Sequence, residues 1–395
     1  MLESASIPLM YTPQEVADRF QKQFGEKGRV YRAPGRVNLI GEHTDYNQGF
    51  VMPAAINFSC WVGAAPRVDG RLAIHSENFG VDVKVEIGNM SAWPRTGWAS
   101  YPLGVAWALM QAGYPLKGCS LYIAGEVPLG SGLSSSAAIE VATALALLEN
   151  SDTSMDKKSL ALLCQRAENE YVGARCGIMD QFIACHGQRN HAVLLDCRSL
   201  EGRPIPMPED VTLVVCNTMV KHELAANEYN KRRAECEEGV RLLKKVMPEI
   251  EALRDVSAAQ LESHRDVLPK VIYRRCRHVV TEDERTLKAA KAFESGELGP
   301  LGRWMAESHE SLREDYEVSC RELDVLVDIA GKQRGVLGAR MTGGGFGGCT
   351  INLVAQEAVD TFCEVMAKEY EDQTGLKPEI YSLKAADGAQ SVPVR

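Results

Sequence analysis

Two rhythms of apolar positions alternate along the chain, and the elements change where the rhythm changes. Thr12-Pro13-Gln14-Glu15 has the form of a cap followed by a proline start. Val16, Phe20 and Phe24 then repeat at helical spacing until Gly25. Val30–Pro34 reads as a strand, and Phe58–Ala64, Leu72–Ile74 and Val81–Ile87 read as further strands. Trp98, Tyr101, Val105 and Leu109 line one side of a predicted helix over Trp98–Leu109. Cys119, Leu121 and Ile123 alternate as in a strand, and an alanine- and leucine-rich helix is predicted over Ala137–Leu148.

Downstream, Leu160, Leu163, Cys164, Ala167 and Tyr171 predict a helix over Asp156–Val172. Strands are expected at His191–Leu195 and Val211–Cys216. Between them lies the Pro-rich Arg203–Pro208, where a domain boundary is placed. Charged helices are expected over Glu223–Val246, 281–294 and 300–330, solvated on most faces, and a strand over Thr350–Val354. The expected fold is α+β, with one domain over 1–205, a second over 206–395, and a cleft between them.

Four segments carry candidate chemistry. Val127–Glu140 passes from a strand through Gly130, Ser131, Gly132 and Leu133 into Ser134-Ser135-Ser136 and a helix. Glycines allow close approach to an anion, and free N–H groups at a helix start point at it. The alternative is a linker whose serines cap an ordinary helix. No Walker A motif occurs in the chain. Gly35–Tyr46 gathers Arg36, Glu42, His43, Thr44 and Asp45, a polar run suited either to sugar hydroxyls or to a plain surface turn. In Cys176–Phe182, Asp180 stands among apolar neighbours, as a helix cap or as a functional acid or base. Glu168, upstream, is either a solvated helix carboxylate or, if Ser136 faces it, a magnesium ligand. The fourth segment, Met341–Cys349, holds five glycines in six positions. Such a run requires close backbone approach, either to a ligand or to another loop.

Composition narrows the field. With 395 residues and a net charge of −9 from 44 basic and 53 acidic residues, the chain has no long basic run, so nucleic acid is not an expected partner. No apolar run reaches the roughly 20 residues needed to span a bilayer, and the N-terminus lacks a signal-peptide layout. The 12 cysteines form no C-x-x-C pair and the 8 histidines show no zinc spacing. Reduced cysteines and a cytoplasmic location are expected.

Together, GRVNLIGEHTDY (35–46), VPLGSGLSSSA (127–137), CGIMDQF (176–182) and MTGGGFGGC (341–349) resemble the motifs of the GHMP kinase superfamily and, within it, the galactokinases. The resemblance implies the two-domain GHMP-kinase fold with its active site between the domains. It also implies ATP-dependent phosphorylation of α-D-galactose at its C1 hydroxyl, with Mg2+ as cofactor. Carried over by position, Asp180 would act as base with Arg36 as its partner. Arg36, Glu42, His43, Thr44, Asp45, Gly177, Asp180 and Tyr229 would hold the sugar. Gly130, Ser131, Gly132, Leu133, Ser134, Ser135 and Ser136 would cradle the ATP phosphates, Ser136 and Glu168 would ligate magnesium, and Trp98 and Tyr101 would lie near adenine. Ser100 stands where the family often has Asn. A carboxylate beside a cation is a weak base, so Asp180 is expected to orient the hydroxyl first and take its proton late. N-acetylgalactosamine kinases share these motifs and are one alternative reading; the other is a non-catalytic sugar and ATP sensor that regulates transcription, a class that can lose residues around the serine loop. A monomer is expected.

Overall fold

The computed structural model describes residues 10–220 and 225–394. Its first helix, Pro13–Phe24, has the expected ends: Thr12 and Glu15 form a capping box, and Gly25 closes it in the left-handed conformation. Val16 and Phe20 face inward and lie against Val30, Trp61 and Tyr122 on one side of a six-stranded sheet. Phe20 comes so close that a Cβ on Gly63 would stand 2.9 Å from it.

That sheet has the order Gln390–Val392, Arg29–Asn38, Pro53–Arg67, Gly118–Gly125, Arg71–Ser76, Val81–Glu86. All pairings are antiparallel except the one between Arg71–Ser76 and Gly118–Gly125. Ser135–Asn150 packs on the sheet's other face together with Met179–His186, and Ser100–Gln111 and Lys157–Arg166 adjoin them. Small residues such as Ala138, Ala142 and Ala146 let the long helix lie close to the strands in one apolar core. A second, antiparallel sheet runs Val336–Thr342, Cys349–Ala355, Val211–Asn217, Glu379–Leu383, and a third runs Phe50–Val51, His191–Asp196, Glu201–Pro206.

Several sequence expectations need correction. The Pro-rich stretch Arg203–Pro208 begins inside a strand, Glu201–Pro206. That strand lies at the edge of its sheet, where proline's missing N–H is not needed for pairing. The helix expected over Asp156–Val172 ends as a regular α-helix at Arg166 and continues as a wider π-turn over Ala167–Val172, which carries Glu168. The stretch 300–330 is two helices, Leu301–Glu314 and Arg321–Ala330. The helix over 281–294 belongs to a longer one, Lys270–Ser295, which buries Arg275, His278, Glu282, Asp283 and Arg285 instead of solvating them. Part of the charged helix expected at Glu223–Val246 lies outside the described residues; Ala225–Leu243 is helical. No cysteine is in a disulfide, and among the described residues no helix is long and apolar enough to cross a membrane.

Candidate active site

Arg36 owes its position to a bulge. The register of Arg29–Asn38 shifts between Pro34 and Arg36, which re-aims the arginine out of the regular pleat. Gly35, at the bulge, lets the strand meet the serine loop. A Cβ there would lie 2.7 Å from the Leu133 carbonyl, and Arg36 N–H donates to that same oxygen at 3.0 Å. The Arg36 guanidinium donates through Nε and Nη2 to the two oxygens of Asp180, each at 2.8 Å, and its Nη1 reaches the Gly132 carbonyl. Asp180 lies in the first turn of Met179–His186, whose cap residue is Ile178, and it caps nothing. Its carboxylate also accepts from the Ser134 hydroxyl and stays 24% exposed, facing a cavity.

The cavity has a volume of about 390 Å3. Arg36, Glu42, His43, Asp45, Gly177, Asp180 and Tyr229 all line it, together with Gly132 and Ser136 of the serine loop. Asp45 is pushed up to about 6, first by burial and then by the charge of Asp180. Gly177 has no room for a side chain, since a Cβ would stand 1.9 Å from Asp45 Oδ2. Burial, and then His278, hold His43 down at about 3, so its ring is neutral. Its Nε2 contacts the Gly344 carbonyl at 3.2 Å and must carry the hydrogen, so Nδ1 accepts from the Tyr46 hydroxyl at 2.7 Å. Thr44 departs from expectation. It is fully buried, its hydroxyl meets the carbonyls of Gly41 and Phe50 at 2.8 and 2.7 Å, and it shapes the turn without reaching the cavity.

The serine loop divides its work. Gly130 and Gly132 adopt positive φ, and Ser134 enters the helix Ser135–Asn150 at φ 62°. The Ser131 hydroxyl turns back to the Pro128 carbonyl at 2.7 Å and Leu133 is core, so neither presents a side chain to a ligand. Ser135 and Ser136 open onto a neighbouring cavity of about 300 Å3, lined also by Gly130, Trp98 and Tyr101. Ser136 borders both cavities, so the helix start lies between them. Sequence reasoning missed Phe79, whose ring stacks on Trp98 at 6.0 Å and 10°. The available signal was a large aromatic residue beside a glycine turn, and it is 49% exposed. Asn230 and Phe346 also line the first cavity and were not singled out.

Met341–Cys349 resolves its alternatives mainly in favour of another loop. A Cβ on Gly343 would stand 2.8 Å from the Gly132 carbonyl, and one on Gly348 would stand 2.9 Å from that of Ser131. Glycine is therefore required here so that two backbones can touch. Glu168 is pushed up to about 7 by burial and then by Asp180, opposed by Cys176, Ser136 and Gln181; Cys176 Sγ donates to it at 3.5 Å. Gln181 donates to it at 2.6 Å. Among the described residues, no cluster of three or more His, Cys, Asp or Glu side chains forms a metal cage.

Comparison with known proteins gives the same picture. The Galactokinase galactose-binding signature matches residues 18–66, the GHMP kinases N terminal domain matches 100–188, and the GHMP kinases C terminal domain matches 289–372. The chain is 46% identical to a galactokinase of Chloroflexus aurantiacus, over 97% of this chain and 98% of that one. It is also 46% identical to a galactokinase of Roseiflexus sp., over 96% and 97%. The crystal structure of Lactococcus lactis galactokinase complexed with galactose superposes with a TM-score of 0.92 at 36% identity, covering 95% of this chain and 98% of that one. With this fold, these motifs and this degree of identity, the chain belongs to the galactokinase family of GHMP kinases.

Proposed function

We propose that the chain transfers the γ-phosphoryl group of ATP to the C1 hydroxyl of α-D-galactose in the cavity shared by Asp180, Arg36 and the serine loop. One observation carries the reading. The Asp180 carboxylate, oriented by Arg36 and Ser134, faces the same cavity as Ser136 at the helix start.

Phosphoryl transfer asks the protein chiefly for alignment and charge stabilisation. Arg36 and Ser134 hold the carboxylate in one plane, so an Asp180 oxygen accepts a hydrogen bond from the C1 hydroxyl and directs that hydroxyl's oxygen lone pair at phosphorus. The proton passes to Asp180 late, as the bond to phosphorus forms. Glu42, Asp45, His43 and Tyr229 surround the other hydroxyls, with Gly177 giving the ring room beside Asp45. The N–H groups at the start of Ser135–Asn150 and the glycines before it hold the phosphates. The Trp98, Tyr101 and Phe79 cavity takes the base.

Ser136 and Glu168 fit a divalent cation. Both offer oxygen, and Glu168 has its affinity for a proton raised with no Lys or Arg paired to it among the described residues. Magnesium there would neutralise phosphate charge. Two protein ligands suit an ion that completes its shell with phosphate and water.

A panel of hexoses and their N-acetyl derivatives, each given with ATP and magnesium, tests the reading. Galactose should release ADP and yield a product whose phosphate NMR shows attachment at C1. Preference for N-acetylgalactosamine, phosphate at another carbon or no sugar-dependent ADP would overturn it.

A further inference from the structure

Glu42 is held by parts of the chain far from its own. Its Oε1 accepts the Gly343 N–H at 2.7 Å and faces Arg340 Nη1 at 3.5 Å. Its backbone N–H points at Glu282 Oε1 at 3.3 Å, and its carbonyl accepts from His278 Nε2 at 3.1 Å. Among the described residues its Oε2 hydrogen-bonds nothing, and the side chain borders the cavity.

Arg340 is 0% exposed. Nη1 also donates to the Asn38 carbonyl at 3.0 Å and Nε to Ser308 Oγ at 3.2 Å. Nη2 is buried without a hydrogen-bond partner, 4.0 Å from Glu282 Oε1. Glu282, also 0% exposed, accepts from Gly41 N–H at 2.9 Å and Ser308 Oγ at 2.7 Å, and its Oε2 accepts from Arg285 Nε at 2.8 Å. Two carboxylates and two guanidiniums thus close a buried, formally neutral cluster behind the sugar cavity.

Stability alone is a poor reason for such a cluster. Desolvating charges costs several kcal/mol each, and well-packed apolar residues often do as well or better. A guanidinium left with a whole Nη2 amino group unpaired is less favourable still. The cluster does fix direction: with Oε1 tied to Gly343 and Arg340, Glu42 can turn only Oε2 to a ligand. We propose that Arg340, braced by Glu282 and Ser308, is a positioning residue that orients Glu42 toward a galactose hydroxyl. The inference rests on the galactokinase reading above and goes beyond it in naming a residue outside the cavity.

The test is a double-mutant cycle on the full chain, with Arg340→Lys, Glu42→Gln and both together. It reads the KM for galactose and for ATP, galactose binding by calorimetry, and the thermal midpoint. Wild-type turnover of galactose is measured first, so a failure of the activity reading is seen apart from a failure of the cycle. Arg340→Lys should raise the KM and Kd for galactose about tenfold, leave the KM for ATP within about twofold, and add little once Glu42 is already Gln. A folded Arg340→Lys protein with wild-type galactose KM would overturn the proposal, as would effects that multiply across the cycle. Should Arg340→Lys not fold, Ser308→Ala, which loosens Nε of Arg340, takes its place with the same two outcomes. Arg340→Met gives the reference for the lysine's partial rescue.

Discussion

Nε and Nη2 of Arg36 each donate to a different oxygen of Asp180, both at 2.8 Å, so the two planar groups lie edge to edge. The pairing holds the carboxylate in one orientation. Asp180→Asn preserves the shape but removes the charge that accepts the proton. Turnover should fall by about 100-fold or more while galactose still binds, read by ADP release and calorimetry on the same preparation. Arg36→Lys keeps a cation but loses the two-point contact, and should lose at least about tenfold in kcat.

Gly177→Ala asks a smaller question of the sugar cavity. The new methyl would stand 1.9 Å from Asp45 Oδ2, a separation that forces Asp45 to move. Galactose KM should rise about tenfold or more with ATP KM little changed, because Asp45 borders the first cavity and not the second. Steady-state kinetics with each substrate varied in turn checks the split.

Phe79 and Trp98 make the complementary case. Their stacked rings border the second cavity, away from Asp180. Phe79→Ala should raise ATP KM by about tenfold and leave galactose KM unchanged, since an exposed aromatic contributes contact with a base and little to the core. Equal shifts in both constants would count against a base site there.

Two buried groups titrate in opposite senses. Burial holds His278 down at about 4 against an unfolded value near 6.5, so its contribution is present above 6.5 and is lost as pH falls toward 4. Asp283 is pushed up to about 7, by burial first, with Arg254 opposing and Glu282 and Asp196 adding to the rise. Its unfolded value is near 3.9, so its effect on stability becomes less favourable as pH rises from about 4 to 7. The stability gap between wild type and His278→Gln should therefore narrow by about 1–2 kcal/mol between pH 7.5 and 5. The gap for Asp283→Asn should move the other way. Denaturant unfolding at four pH values across that range measures both.

Local signals carried much of the fold. The capping box at Thr12 and Glu15, the alternation through Cys119–Ile123 and the glycine–serine entry to Ser135–Asn150 are each written within a few residues, and the structure forms each of them. What failed depended on distant partners. Glu282 and Arg285 read as solvated because nothing near them shows that Ser308 and Arg340 close over them. The signal was instead at Arg340, a cation between the apolar Ala339 and Met341 on a strand, which needs a buried carboxylate if it faces inward. The strand Glu201–Pro206 is hidden by Pro204 and Pro206, which a central strand would exclude but an edge strand tolerates. In the site, the motif residues are those the family resemblance implies, whereas Thr44 differs from its neighbours only in the direction its side chain takes, which a turn decides and a motif does not.

The strand Gln390–Val392 pairs with Arg29–Asn38 at the border of the first sheet, joining segments more than three hundred residues apart. During synthesis, the strand that carries Arg36 must wait with one edge unpaired until the chain has been made as far as Val392. An open edge of that kind invites pairing with other chains. A nascent chain, or one clipped before Gln390, therefore exposes at Val30–Arg32 the edge through which it would aggregate.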